Sequence, residues 1–308
     1  MKIIFMGSAA FAVPSLNELH KAGHNIEVVI TQPDKPAGRG RKLSSPPVAE
    51  QAKQSNLPLY QPKSVKAKKV IEKISSLEPD IIVIVAYGKI LPKELLELPR
   101  LKCVNVHASL LPKYRGAAPM NWAIVNGEKE TGVTTMFINE ELDAGDMLLS
   151  KSIPIGDDDT TLTLQEKLAS IGADVLLETI EKIKDGTIKP EPQDGTKATF
   201  APIMKKEDGY INWNKGSLEI RNLIRGMQPW PSAYTHLDGK MLKIYCATIL
   251  ETTVTETPGT VLAAGDDIVV ATGDGKLCIN ELQLEGKRRM TSTDFLHGHK
   301  VKTGTILE

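Results

Sequence analysis

Short β-branched apolar runs alternate, through the first part of the chain, with segments whose apolar residues recur at helical spacing. Residues 2–6 read as a buried strand that ends at Gly7, and residues 11–22 carry helical spacing with Pro14 tolerable in the first turn. Residues 26–31 give the next strand. Residues 80–86 are the most apolar run and read as a central strand covered on both faces. Residues 102–107 and 132–138 add two more, and residues 160–184 form a long amphipathic helix with Thr160 or Thr161 as its cap. This alternation predicts an α/β fold built on a doubly wound, mostly parallel sheet.

The rhythm then changes. Residues 189–201, KPEPQDGTKATFA, mix Pro, Gly and polar groups and read as a linker. Beyond a short helix at 217–225, strands are expected at 232–236, 241–249, 259–263, 268–272 and 277–283. The turns Asp238-Gly239 and Gly273-Asp274-Gly275 punctuate them. Such a run predicts a small β-barrel of the oligonucleotide-binding type, OB-like for short. The expected domains are therefore 1–189, a linker over 190–206, and a C-terminal barrel over 207–308.

Composition narrows the class. A chain of 308 residues with 41% apolar content can bury two cores. No apolar run approaches the ~20 residues that cross a bilayer, and MKIIFMGSAAF reads as a first strand and turn rather than a signal peptide. Cys103, Cys246 and Cys278 are scattered and odd in number, so they fit neither a disulfide framework nor a metal site. They are expected to be buried thiols in a reducing, cytoplasmic compartment. Formal net charge is zero, so any polyanion partner has to be argued from local patches.

The stretch 103–119, CVNVHASLLPKYRGAAP, carries the chemistry. Asn105 and His107 stand two apart at the end of a strand, so they share a face. In an open parallel sheet that end is where ligands bind. Asp143, in the loop ELDAGD after another strand, can reach the same crevice. An amide, an imidazole and a carboxylate together suit acyl transfer: the amide donates to a developing oxyanion, the imidazole moves a proton, and the carboxylate orients the imidazole. A structural histidine beside a common Asp-x-Gly turn would read the same way.

Other chemistries find no support. The first βα turn, GSAAFAVPS, lacks the Gly-x-Gly-x-x-Gly of a dinucleotide site, and no Gly-x-Ser-x-Gly is present. Asp294, His297 and His299 read as a solvated helix end rather than a metal site. The loop QPDKPAGRGRKLSSPP sets Lys35, Arg39, Arg41 and Lys42 against one acid, Asp34. Those bases are either a solvated surface or a contact for a phosphate backbone. Over 207–308 acidic residues slightly outnumber basic ones, with a local basic cluster at Lys287-Arg288-Arg289.

NVHASLLPKYRGAAP with LDAGD downstream resembles the signature of the formyltransferases that use 10-formyltetrahydrofolate. TQPDKPAGRGRKL at 31–43, VAYGKILP at 85–92 and WPSAY at 230–234 resemble the branch of that family that acts on methionyl-tRNA. The resemblance spans essentially the whole chain. It implies direct attack of an amine on the formyl carbon, with Asn105, His107 and Asp143 as the catalytic trio. It implies a folate site from Ser109, Leu110, Leu111 and Pro112 together with Val85, Tyr87, Gly88 and Ile90. It implies initiator methionyl-tRNA as partner, met by the basic loop through Arg39, with Arg41, Lys42 and Lys35 as helpers beside it. Lys287 and Arg288 are read from local charge alone, either as a modest positive face for tRNA or as scattered solvated charges. A monomer that needs neither a metal for its chemistry nor a membrane is expected. Within the family, glycinamide ribonucleotide and amino-sugar formyltransferases and a formyltetrahydrofolate hydrolase share the trio. A tRNA-binding module with an inactive site is the reading from another class.

Overall fold

The computed structural model describes residues 1–37, 42–250 and 254–308, excepting the side chains of Ala37 and Lys42. Packing divides the chain into two units, each drawn from three stretches. The first comprises Met1–Gly116, Glu130–Ile153 and Gln165–Phe200; the second comprises Ala117–Lys129, Pro154–Leu164 and Ala201–Glu308.

The first unit is built on a seven-stranded sheet. Its strands are β1 (Lys2–Gly7), β2 (Asn25–Ile30), β5 (Leu59–Tyr60), β6 (Ile81–Val85), β7 (Cys103–His107), β9 (Glu130–Phe137) and β10 (Met147–Pro154). Off the sheet lie a hairpin, β3 (Lys35–Ala37) with β4 (Lys42–Ser44), and a short β8 (Arg115–Gly116). The spatial order is β10-β9-β7-β6-β1-β2-β5. β1 pairs in parallel with β2 and β6, β6 with β7, and β2 with β5, whereas β7 and β9 are antiparallel. The order runs outward from β1 in both directions, which puts the topological switch between β1 and β6. Gly7 ends β1 there because a Cβ would press on the Val85 carbonyl and the Phe5 ring.

Helices cover both faces. Ile4, Met6, Val28, Ile30, Ile82, Ile84 and Cys103 pack with Val70 and Ile74 of α3 (Lys68–Ser75) and Leu95 of α4 (Lys93–Leu96). These residues alternate with Ile3, Phe5, Val29 and Val83, which point to the opposite face, as the period of two requires. On that opposite face the long helix α6 (Thr161–Lys184) brings Gly172 against Val106 and Val133. Thr160 caps α6, its hydroxyl accepting from the Thr163 amide at 3.3 Å. Two shorter helices, α1 (Val13–Lys21) and α2 (Pro47–Gln54), pack on each other.

The second unit includes α5 (Pro119–Val125), α7 (Ser217–Gly226) and α8 (Ser292–Gly298). Its sheet runs β12 (Ala233–Leu237), β13 (Lys240–Leu250), β16 (Lys276–Leu284), β15 (Ile268–Ala271) and β14 (Val261–Ala264), with β17 (Met290–Thr291) on β16. A last short strand, β11 (Phe200–Ala201), stands at the sequence boundary of the units. Asp238 and Gly239, both with positive φ (50° and 74°), join β12 to β13 as a two-residue hairpin. Among the described residues β12 and β14 do not pair with each other, so the sheet is antiparallel and is not closed by its own strands. The 304–308 segment touches both edges: Val261 N donates to Thr305 O at 2.8 Å, and His236 N donates to Glu308 O at 2.6 Å.

One cysteine departs from expectation. Cys103 and Cys278 are buried, and burial pushes the Cys103 thiol up to about 12. Cys246 is exposed, because the register of β13 on β16 shifts on either side of it. No helix among the described residues is long and apolar enough to cross a membrane, and none of them form a cluster of three or more His, Cys, Asp or Glu placed to hold a metal.

Candidate active site

The parallel register sets Ile84 of β6 beside Asn105 of β7, so the loop after β6 begins next to His107. Asn105 and His107 follow Cys103 at alternate positions and share its face of the sheet. His107 is 6% exposed. Its Nε2 lies 2.9 Å from the Tyr114 carbonyl oxygen. A carbonyl only accepts, so Nε2 carries the hydrogen and Nδ1 is the nitrogen left for proton exchange. Asp143 Oδ2 stands 3.7 Å from Nδ1, just outside direct hydrogen-bond reach. The ring is thus oriented by Tyr114, where the sequence pointed to Asp143. A main-chain carbonyl leaves no trace in residue identity, which is why it escaped notice.

Asp143 is held from several sides. Its φ is +49°, its Oδ2 accepts from the Gly116 amide at 2.9 Å, and its carbonyl accepts from Gln193 Nε2 at 2.9 Å. Gly145, two residues on, has no room for a Cβ, which would overlap the Phe137 carbonyl. Thr134, opposite His107 across β7 and β9, fastens the following turn. Its hydroxyl donates to Ser109 O at 2.7 Å and accepts from Leu111 N at 3.2 Å. Within that turn the Ser109 hydroxyl donates to Lys113 O at 2.7 Å, so it is engaged by the chain itself. Leu111 and Ser109 are buried, while Leu110 and Pro112 are half-buried.

The loop after β6 takes left-handed backbone at Ala86 (φ 45°) and Gly88 (φ 74°). Val85 and Tyr87 are buried, and burial pushes the Tyr87 phenol up to about 12, so it stays neutral. Gly88 and Ile90 are exposed, Ile90 at 81%. The Tyr87 carbonyl accepts from Gln32 Nε2 at 2.8 Å, and Gln32 Oε1 accepts from Lys35 Nζ at 2.7 Å. The base of the basic hairpin is therefore tied to this loop. Arg39 and Arg41 lie outside the described residues, as does the Lys42 side chain. Lys287 and Arg288 are exposed in the second unit, after β16.

The structure thus brings together Asn105, His107, Asp143, the 109–112 turn and the 85–88 loop at one end of the sheet. Sequence reasoning missed Tyr114, Gln32, Thr134, Arg115 and Gln193. Their roles rest on contacts that residue identity does not show; Gln193, for one, lies in a run of polar residues and is set apart only by being half-buried in the fold.

Comparison with known proteins agrees in sequence and in fold. The model of the formyl transferase family matches residues 1–180, and that of the formyl transferase C-terminal domain matches residues 203–300. A methionyl-tRNA formyltransferase from Caldanaerobacter subterraneus is 52% identical, covering 100% of this chain and 100% of that relative. One from Acetivibrio thermocellus is 49% identical over 100% of this chain and 99% of its own length. The crystal structure of an N-formyltransferase from Helicobacter canadensis shares the fold at 21% identity. Its TM-score is 0.69, over 91% of this chain and 98% of that one. HypX from Aquifex aeolicus, with a TM-score of 0.64 at 20% identity, shares it over 99% of this chain and 50% of that one. On identities of this size over its full length, the chain belongs to the methionyl-tRNA formyltransferase family.

Proposed function

We propose that the chain transfers the formyl group of 10-formyltetrahydrofolate to the α-amine of initiator methionyl-tRNA, giving N-formylmethionyl-tRNA. The observation that carries this reading is Asn105 and His107 on one face of β7, with Asp143 Oδ2 3.7 Å from the imidazole, in a chain of this family. Residues 86 and 88–90 are exposed, and their main-chain groups suit the amide-like edge of a pterin ring. Val85, Tyr87, Gly88 and Ile90, with Ser109, Leu110, Leu111 and Pro112, would hold the folate. Bound there, it supplies the formyl carbon that the amine attacks.

The chain's own residues do the rest. The Asn105 amide donates to the formyl oxygen as negative charge gathers on it, an interaction stronger in the transition state than before it. His107, its Nε2–H fixed on Tyr114 O, would take the attacking amine's proton at Nδ1, directly or through one water. It would deliver that proton to the folate nitrogen as the bond from that nitrogen to the formyl carbon breaks and tetrahydrofolate leaves. Asp143 faces that nitrogen and sets where the proton or water sits. No bond to the enzyme forms, and the steps as written call for no metal.

Lys35 of β3 and Lys42 of β4, with Arg39, Arg41, Lys287 and Arg288, are assigned to tRNA phosphates. Residues 1–189 are read as the catalytic region, 190–206 as the linker and 207–308 as an OB-like tRNA-binding domain. The engagement of both sheet edges by 304–308 supports a barrel-like closure. A cytoplasmic monomer fits a partner that is itself a translation substrate.

The test is formylation of initiator and elongator methionyl-tRNA side by side with 10-formyltetrahydrofolate. Initiator product forms in the wild type, and Asn105→Ala and His107→Ala each lose on the order of a hundredfold or more in single-turnover rate while remaining folded at the assay temperature. Cleavage to formate without tRNA product, or near-normal rates in both variants, overturns the reading.

A further inference from the structure

We propose that Gln193 is a positioning residue for Asp143, fastening the carboxylate's loop to the segment that also holds His107; this rests on the catalytic trio assigned above. The side-chain amide of Gln193 is fully engaged. Its Nε2 donates to Asp143 O at 2.9 Å and to Gly145 O at 2.8 Å, using both hydrogens. Its Oε1 accepts from Arg115 Nε at 3.0 Å and Arg115 Nη2 at 2.7 Å, using both lone pairs. Arg115 is buried, at 9% exposure, and its guanidinium reads the amide oxygen in a two-pronged contact.

Arg115 is the middle member of three successive residues that each hold one part of the site. The Tyr114 carbonyl fixes His107 Nε2, the Arg115 side chain holds Gln193, and the Gly116 amide donates to Asp143 Oδ2. Gln193 completes the circuit by returning from Arg115 to the backbone of the Asp143 loop. The 3.7 Å separation of Asp143 from His107 is therefore set by one tripeptide and one amide. The main chain around Gln193 reinforces the placement. Glu191 exchanges two 2.8 Å hydrogen bonds with Met147, and the Thr199 hydroxyl accepts from the Tyr114 amide at 2.9 Å. Asp143 has left-handed backbone without being glycine, and so depends on outside contacts to stay in it.

Only an amide satisfies this site. Glutamate at 193 keeps the acceptor for Arg115 but sets a carboxylate oxygen against two carbonyls. Methionine keeps the length and loses every bond. Gln193→Glu leaves the buried guanidinium partnered and is the variant expected to fold; Gln193→Met is its companion.

The experiment measures single-turnover formyl transfer, KM for both substrates and melting temperature in six proteins: wild type, His107→Ala, Gln193→Glu, Gln193→Met, Asp143→Asn and the double variant of Gln193→Glu with Asp143→Asn. Gln193→Glu is expected to slow transfer on the order of ten- to a hundredfold, with KM for folate and tRNA changed less than about threefold. In the Asp143→Asn background the same substitution should cost less than about twofold, because the group it positions is already gone. Equal losses in both backgrounds assign Gln193 a purely structural role and overturn the proposal. So does a normal rate in Gln193→Glu beside an inactive His107→Ala. A wild type that forms no formylmethionyl-tRNA would instead bring down the functional reading beneath it.

Discussion

A methyl group at Gly145 would overlap the Phe137 carbonyl, so the loop bearing Asp143 can lie against β9 only with hydrogen at that position. Gly145→Ala has no flexible side chain to push aside, since the obstacle is backbone. It should cost about 1–3 kcal/mol of stability and, by displacing Asp143, slow transfer at least tenfold. Thermal unfolding and single-turnover assays check both, and an active variant with a wild-type melting temperature would mean the loop has a second way to sit. At this scale Asn105 and His107, two of the proposed catalytic residues, stood out because polar side chains at the end of an apolar strand do nothing for packing, and Asp143 stood out in the loop that follows a neighbouring strand. Their supports did not. Tyr114 and Gly116 act through main-chain atoms, which any residue possesses, and Arg115 finds its partner 78 positions away in Gln193.

The strands show the other half of the account. β6, buried at all five positions, was legible as a central strand because covering both faces leaves no polar position. Its far end, away from the site, is pinned by Asp80. The carboxylate accepts from the Lys2 amide at 2.7 Å and from Arg100 Nε at 2.7 Å, joining the start of β1 to the approach to β7. The Lys2 hydrogen bond first, and then Arg100, hold the Asp80 pKa below its ordinary value of 3.8. A carboxyl whose folded pKa is depressed adds stability above its unfolded pKa and loses it as pH falls through the folded one. The contribution is thus intact at neutral pH, begins to fall below about pH 4 and is gone once pH has passed below the folded pKa. The gap in urea midpoint between wild type and Asp80→Asn should be smaller at pH 3 than at pH 7. A gap of constant size would remove Asp80 from the acid response.

Across the molecule, basic and acidic residues balance at 38 each. A tRNA interface has to come from local clusters, and its strength should follow salt accordingly. KM for tRNA is expected to climb steeply between about 50 and 200 mM salt, while KM for folate stays nearly level. Arg39→Ala, and Lys287→Ala with Arg288→Ala, should each flatten the logarithmic slope by roughly 0.7–0.9 per lost phosphate contact. A slope unchanged by all three substitutions would take these residues out of the interface. The division of the chain was legible only as a change of rhythm near residue 190, because periodicity reports the element at hand and not the body it joins. The packed units are interleaved. Asn121 Nδ2 and Thr161 Oγ1 both donate to the Gly226 carbonyl at 2.7 Å, so two early stretches belong with the late one. No single cut frees either body whole. A fragment stopping at 189 would keep α5 and the 154–164 stretch but lose the helix they rest on, and a chimera exchanging the second unit between relatives would have to carry three pieces of gene rather than one.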